Sequence, residues 1–434
     1  MRFYSADWVL PVEGEPIRDG AVAIEDGRIA AVGPASELGA GERFDGAAIV
    51  PGFVNAHSHL EYAAYAGFGD GLSFAPWLAV HIERKQRIDF GDMLAIARFG
   101  AAECLRSGVT CVGDASFSGA AAAACAELGL RAIVHLEVFG SGLEQLTERF
   151  ERNRERVADA WSDLVRVGIS PHAPYTVGLP LYEASLALEL PVATHVAESA
   201  AEQEWLTSGT GPWAELAHML PLPLGETGIR GLARAGLLSS RIVAAHCVHV
   251  DAEEIALLAE HDVAVAHCPR SNAFLGCGIA PLRALLDAGV RVGLGSDSPA
   301  STPSFDMFDE LRAAVFAARA RAQDPSALAA REALELATLG SARALGLDGE
   351  IGSLVPGKQA DLTVVSLEGS PYLPWEDAAG GVVFGGSPER VLSTVVAGTE
   401  RYRKGTTEWH ELTAAATVAR QRLLSPTGAV TRGS

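Results

Sequence analysis

The stretch Pro51-Gly52-Phe53-Val54-Asn55-Ala56-His57-Ser58-His59 decides the fold class of this chain. It closes an apolar run that begins at Ala48, and a spacing of two in an extended segment places the His57 and His59 imidazoles on one face. Two further apolar runs end in the same kind of side chain. Pro191-Val192-Ala193-Thr194 leads into His195, and Val292-Gly293-Leu294-Gly295-Ser296 leads into Asp297. Three imidazoles and a carboxylate form a ligand set suited to zinc or iron(II), with a position left for water. Delivery of such groups by strand ends is the habit of (β/α)8 barrels. The pattern predicts a hydrolase built around a metal.

Five more apolar runs, at residues 109–112, 132–136, 165–169, 242–245 and 263–266, bring the strand count to eight. Helical patterns separate them, as at residues 92–106, 119–130 and 251–260, which predicts a parallel sheet with crossover helices. The ends of the chain read differently. The first fifty residues alternate in short runs with a hairpin turn at Asp26-Gly27, and the same texture returns at 361–365 and 391–396. The expected architecture is α/β. Residues 1–50 and 351–410 would form the two parts of a small β-sandwich, 51–350 the barrel, and 411–434 a C-terminal helix and a tail frayed from Ser425.

With 34 basic against 54 acidic residues the formal charge is −20, which repels nucleic acid and anionic membranes. The expected partners are a small-molecule substrate and at most a second copy of the chain. Six scattered cysteines without a C-x-x-C pair read as buried thiols of a reducing compartment. With no signal-like N-terminus and no membrane-length apolar run, a cytoplasmic location is expected.

Further catalytic groups follow from position. Glu198, three residues beyond His195, is the candidate proton shuttle, and His246, at the end of the 242–245 run, is the candidate donor to the attacking water or the developing oxyanion. His172 follows the 165–169 run and is placed to contact substrate, as Trp77 and Glu61 are by proximity to the metal motif. His249, His261 and His267 read as structural. The run Cys268-Pro269-Arg270-Ser271-Asn272 lines the mouth or merely anchors a loop through Asn272. Only Lys85, Lys358 and Lys404 are present, and none ends the fourth strand, where a carboxylated lysine would bridge two ions. One divalent ion is expected, zinc first with iron(II) as the alternative.

His59-Leu60-Glu61 matches half of the H-x-E and P-C-x-x-C signature of small zinc deaminases, but the cysteine half is absent. The motifs at 51–59, His195-Val196-Ala197-Glu198, His246, Gly295-Ser296-Asp297-Ser298 and residues 352–362 instead resemble the amidohydrolase superfamily, in its nucleoside-deaminase and chlorohydrolase branch. The likeness spans nearly the whole chain. It departs at Ser296, where threonine is commoner. The resemblance implies that His57, His59, His195 and Asp297 bind the metal, that Glu198 and His246 assist, and that Asp297 also takes a proton. Around Glu61 and His195 the chain is similar to methylthioadenosine/S-adenosylhomocysteine and aminodeoxyfutalosine deaminases. That implies loss of ammonia from a 6-aminopurine nucleoside. Guanine or pterin deamination, chlorohydrolysis and cyclic-amide hydrolysis are the alternatives, and a catalytically dead scaffold is disfavoured by the full set of metal and proton-transfer residues.

Overall fold

Eight parallel strands follow one another around one sheet in chain order: Phe53–Ser58, Val109–Ser116, Arg131–Val138, Val165–Pro171, Val192–Val196, Ile242–His246, Ala264–His267 and Val292–Leu294. The computed structural model describes residues 1–39, 41–370 and 377–425. The sheet curls until its first and last strands meet. There the Asp297 amide donates to the His57 carbonyl at 2.9 Å, and Asn55 clasps Ser296 through its hydroxyl (2.6 Å) and its amide (2.9 Å). Position 296 thus needs a hydroxyl, which serine supplies as well as threonine.

Helices cover the outside, so most strands are buried on both faces and read as continuous apolar runs. Inside, Val54, Cys111, Ile133, Val243 and Ala266 come from five different strands yet form one cluster with Leu345 and Ile351. Only the barrel interior can bring them together. The helix read from residue 92 begins earlier, at Phe90, because Asp89 accepts the Asp92 amide and the Asp92 carboxylate reaches back to the Asp89 amide. Ala252–Glu260 is capped by Asp251 in the same way.

The chain ends share a seven-stranded mixed sheet, with the first four strands of the chain hydrogen-bonded to three from its C-terminal part. Asp26 and Gly27 both have positive φ, 50° and 77°, as the two-residue hairpin requires. The strand Glu42–Pro51 shows why this sheet is fixed to the barrel. Ala47 and Ile49 join the core of the small domain, while Ala48 and Val50, pointing the other way, join the large core.

The run read as one strand from Ala48 to Asn55 therefore divides. Ala48 to Pro51 belongs to the terminal sheet and Phe53 starts the barrel. Gly52 is the crossing point, where a Cβ would lie 2.1 Å from the Thr110 side chain. A buried ion pair adds a second tie: Arg131 Nε and Nη2 donate to Asp361 Oδ2 and Oδ1 at 3.0 and 3.1 Å. The C-terminal helix is His410–Leu424, and the expected tail lies outside the described residues beyond Ser425. No helix among the described residues is long and apolar enough to cross a membrane.

Candidate active site

The side chains read as metal ligands meet at the C-terminal mouth of the barrel. His57, His59 and Asp297 offer ligand atoms within 4.8 Å of one another, as do His57, His195 and His246, and Glu198, His246 and Asp297. The backbone makes this convergence. His246 (φ 74°), Asp297 (φ 56°) and Ala197 (φ 55°) take the left-handed conformation at or just past strand ends. For non-glycine residues that costs on the order of 1 kcal/mol each, and such strain clusters at functional sites.

Hydrogen bonds fix which ring nitrogen faces inward. His59 Nδ1 donates to the Ala115 carbonyl and His195 Nδ1 to the His172 carbonyl, both at 2.8 Å. A carbonyl can only accept, so each neutral ring carries its proton on Nδ1 and presents a bare lone pair at Nε2. These two Nε2 atoms lie 3.2 Å apart, and the buried Nε2 of His57 has no partner. Facing lone pairs repel unless an electron-pair acceptor sits among them. The donor set fits a divalent cation.

The electrostatics agree. Burial and the neighbouring imidazoles push His57 well below its ordinary pKa, and burial with His59 brings His195 down to about 3, so both rings stay neutral. Burial would raise the Asp297 carboxyl, but the groups around it, two donating hydroxyls among them, outweigh burial and lower it. Those hydroxyls, of Ser271 and Ser301, donate to Oδ2 at 2.6 and 2.7 Å. Oδ1 is left facing His57 (3.7 Å) and His59 (3.5 Å). The fourth strand brings Arg166 but no lysine.

Glu198 Oε1 lies 3.7 Å from His246 Nε2. Burial and then Asp297 push the Glu198 carboxyl well above its usual range, toward the protonated form. Its position is locked by Glu202, whose carboxylate accepts the amides of Ala197 and Glu198 at 2.8 Å each.

A cavity of about 590 Å³ opens above these groups and is lined by His59, His172, His195, Glu198, His246 and Asp297 together with aromatic and aliphatic walls. His172 donates from Nδ1 to Thr176 Oγ1 at 2.8 Å, which turns Nε2 toward the cavity. Trp77 is a wall only, since its indole N–H is held by the Ala300 carbonyl at 3.1 Å. Glu61 does not line the cavity. Its carboxylate is taken up by the amides of Ser118 and Ala120 and the hydroxyls of Ser116 and Ser118, so the expected substrate contact at Glu61 is corrected to a clamp on the loop after the second barrel strand. All six cysteines are buried and unpaired.

Sequence reasoning named Ser271 only within a run that could line the mouth, and it missed Ser301, Lys85 and Glu137 as parts of this site. Glu137 had a signal: it is next to last in the third barrel strand, which the apolar run appeared to stop at Leu136.

The amidohydrolase family model matches residues 48–401, and a bacterial imidazolonepropionase-like composite domain matches residues 20–40. A 5-methylthioadenosine/S-adenosylhomocysteine deaminase of Moorella thermoacetica is 34% identical over 406 residues, covering 90% of this chain and 91% of that protein. Among solved structures, a zinc-bound adenosine deaminase from Xanthomonas campestris superposes with a TM-score of 0.86 at 31% identity, covering 97% of this chain and 98% of the other. A zinc-bound atrazine chlorohydrolase from Arthrobacter aurescens gives 0.83 at 25% identity, covering 97% and 100%. With the barrel, the strand-end ligands and these likenesses together, the chain belongs to the amidohydrolase family.

Proposed function

We propose that this protein is a metal-dependent hydrolytic deaminase of a 6-aminopurine nucleoside with a modified ribose. The observation that carries the reading is the placement of Glu198 beside four inward-facing ligand groups at the base of an aromatic-walled cavity. His57, His59, His195 and Asp297 would hold one divalent ion, zinc by the nature of the donors. When bound, such an ion supplies Lewis acidity that makes water nucleophilic near neutral pH.

The protein's own groups do the rest. His246 Nε2 orients the attacking water, and Asp297, already a ligand, accepts its proton. Glu198 gives its proton to the ring nitrogen next to the carbon under attack; the proton taken by Asp297 then passes to the exocyclic nitrogen, the carbon–nitrogen bond breaks to release ammonia, and the added hydroxyl returns its proton to Glu198. Trp77, Phe74 and Trp213 close the walls around the base and keep bulk water out. The buried unpaired thiols suit a reducing compartment, and we assign the protein to the cytoplasm.

The test is ammonia release with loss of adenine absorbance across adenosine, methylthioadenosine, S-adenosylhomocysteine and aminodeoxyfutalosine. Turnover of a pterin, guanine or a chlorotriazine, with all four nucleosides inert, would overturn the substrate assignment. The likeness to atrazine chlorohydrolase favours chlorohydrolysis as the second reading, and chloride in place of ammonia distinguishes it.

A further inference from the structure

The cavity has a second polar pole that the chemistry above leaves unused. Glu137, next to last in the third barrel strand, lines the cavity and is 2% exposed, and its Oε2 has no hydrogen-bond partner. Lys85 lines the same cavity from the end of the helix Phe74–Lys85. Its ammonium stands 3.9 Å from the centre of the Phe117 ring and donates to the Tyr62 hydroxyl. Tyr62 in turn packs edge-on against His59 with ring centres 5.6 Å apart, so this pole adjoins the metal-facing histidines.

The neighbouring cation does not satisfy Glu137. Arg149 donates to the backbone carbonyls of Glu137 (2.8 Å) and Phe117 (3.1 Å), and its guanidinium is covered by the Phe117 and Phe139 rings. A carboxylate oxygen left bare in a buried wall is costly, and a ligand that donates to it recovers that cost. The chemistry of the pair narrows the ligand. An anionic group would be repelled by Glu137 and an ammonium by Lys85, whereas a neutral group that both gives and takes hydrogen bonds suits the two at once.

We propose that Glu137 and Lys85 bind the vicinal hydroxyls of the substrate's sugar and thereby select ribonucleosides over deoxynucleosides. The inference rests on the purine nucleoside reading and adds the group that recognises the sugar. Glu137 accepts a hydroxyl proton, and Lys85 donates to the adjacent hydroxyl oxygen.

The experiment compares kcat/KM for adenosine, 2′-deoxyadenosine and 3′-deoxyadenosine on the full-length, metal-loaded enzyme and on Glu137→Gln and Lys85→Met. The native enzyme is expected to favour adenosine by about 10- to 100-fold, the worth of a hydrogen bond to a charged group. Glu137→Gln should pull that ratio toward one, mainly through KM. Thermal melting and metal content report whether each variant folds. Equal kcat/KM for the three nucleosides in the native enzyme overturns the inference and leaves the deaminase reading standing, as does a folded Glu137→Gln that keeps the full preference. If none of the three releases ammonia, the inference is overturned, and the purine nucleoside reading falls with it only if methylthioadenosine, S-adenosylhomocysteine and aminodeoxyfutalosine are inert too.

Discussion

The Asn272 amide oxygen accepts the Nδ1 proton of His246 at 2.9 Å, which turns Nε2 toward Glu198 and the metal-facing groups. His246 alone could rotate or exchange tautomers. Asn272, on the helix Pro269–Phe274 after the seventh barrel strand, removes that freedom.

Asn272→Ala is therefore expected to lower kcat by about 10- to 100-fold, the usual cost of losing a partner that orients a catalytic histidine. Metal content should be unchanged. Loss of metal in parallel with activity would show instead that Asn272 supports the ligand cage.

His57→Ala and Asp297→Ala should each strip the metal and abolish turnover, because each removes one of the four proposed ligands. Elemental analysis of protein purified without added metal gives the result. Native protein should contain one ion per chain. Two ions per chain, both needed for activity, would refute the mononuclear site.

Glu198→Gln should keep its metal and lose about 10²-fold or more in kcat, the scale of a general acid or base. The fold should hold, since Glu202 locks the backbone amide rather than the Glu198 side chain. Near-native turnover would assign proton transfer to another group.

The double variant Ser271→Ala, Ser301→Ala removes both hydroxyls that pin Asp297 Oδ2. Metal affinity is expected to fall by about 10- to 100-fold, read by competition with a chelator of known affinity. Unchanged affinity would mean that the strand end alone orients Asp297.

Arg131→Met should destabilise the protein by about 3–5 kcal/mol, because it leaves the Asp361 carboxylate buried without its counter-charge. Adding Asp361→Leu should recover part of the loss. Chemical denaturation measures both. A loss under about 1 kcal/mol would show that the ion pair is dispensable for joining barrel and terminal sheet.

The barrel was legible because its strands are buried on both faces, and each leaves an unbroken apolar run of near-correct length. Boundaries were less so. The third strand runs to Val138 rather than Leu136, so a charged residue inside a strand end, Glu137, was passed over. The run from Ala48 to Asn55 looked like one strand because apolar side chains serve two different cores across Gly52, and hydrophobicity does not record which core.

The sequence by itself determined the chemical type of the site. His57, His59, His195, Glu198, His246 and Asp297 are recognisable because strand-end position is a local property, carried by each apolar run and the residue that follows it. Only the tertiary structure decided what surrounds them. The Asn272–His246 bond spans 26 residues, the Ser271–Asp297 bond 26 and the Glu61 clamp up to 59, and these partners have no shared periodicity or spacing. Glu61 shows the physical reason. A carboxylate beside a metal motif can serve substrate or scaffold, and the choice depends on which amides the folded chain places against it.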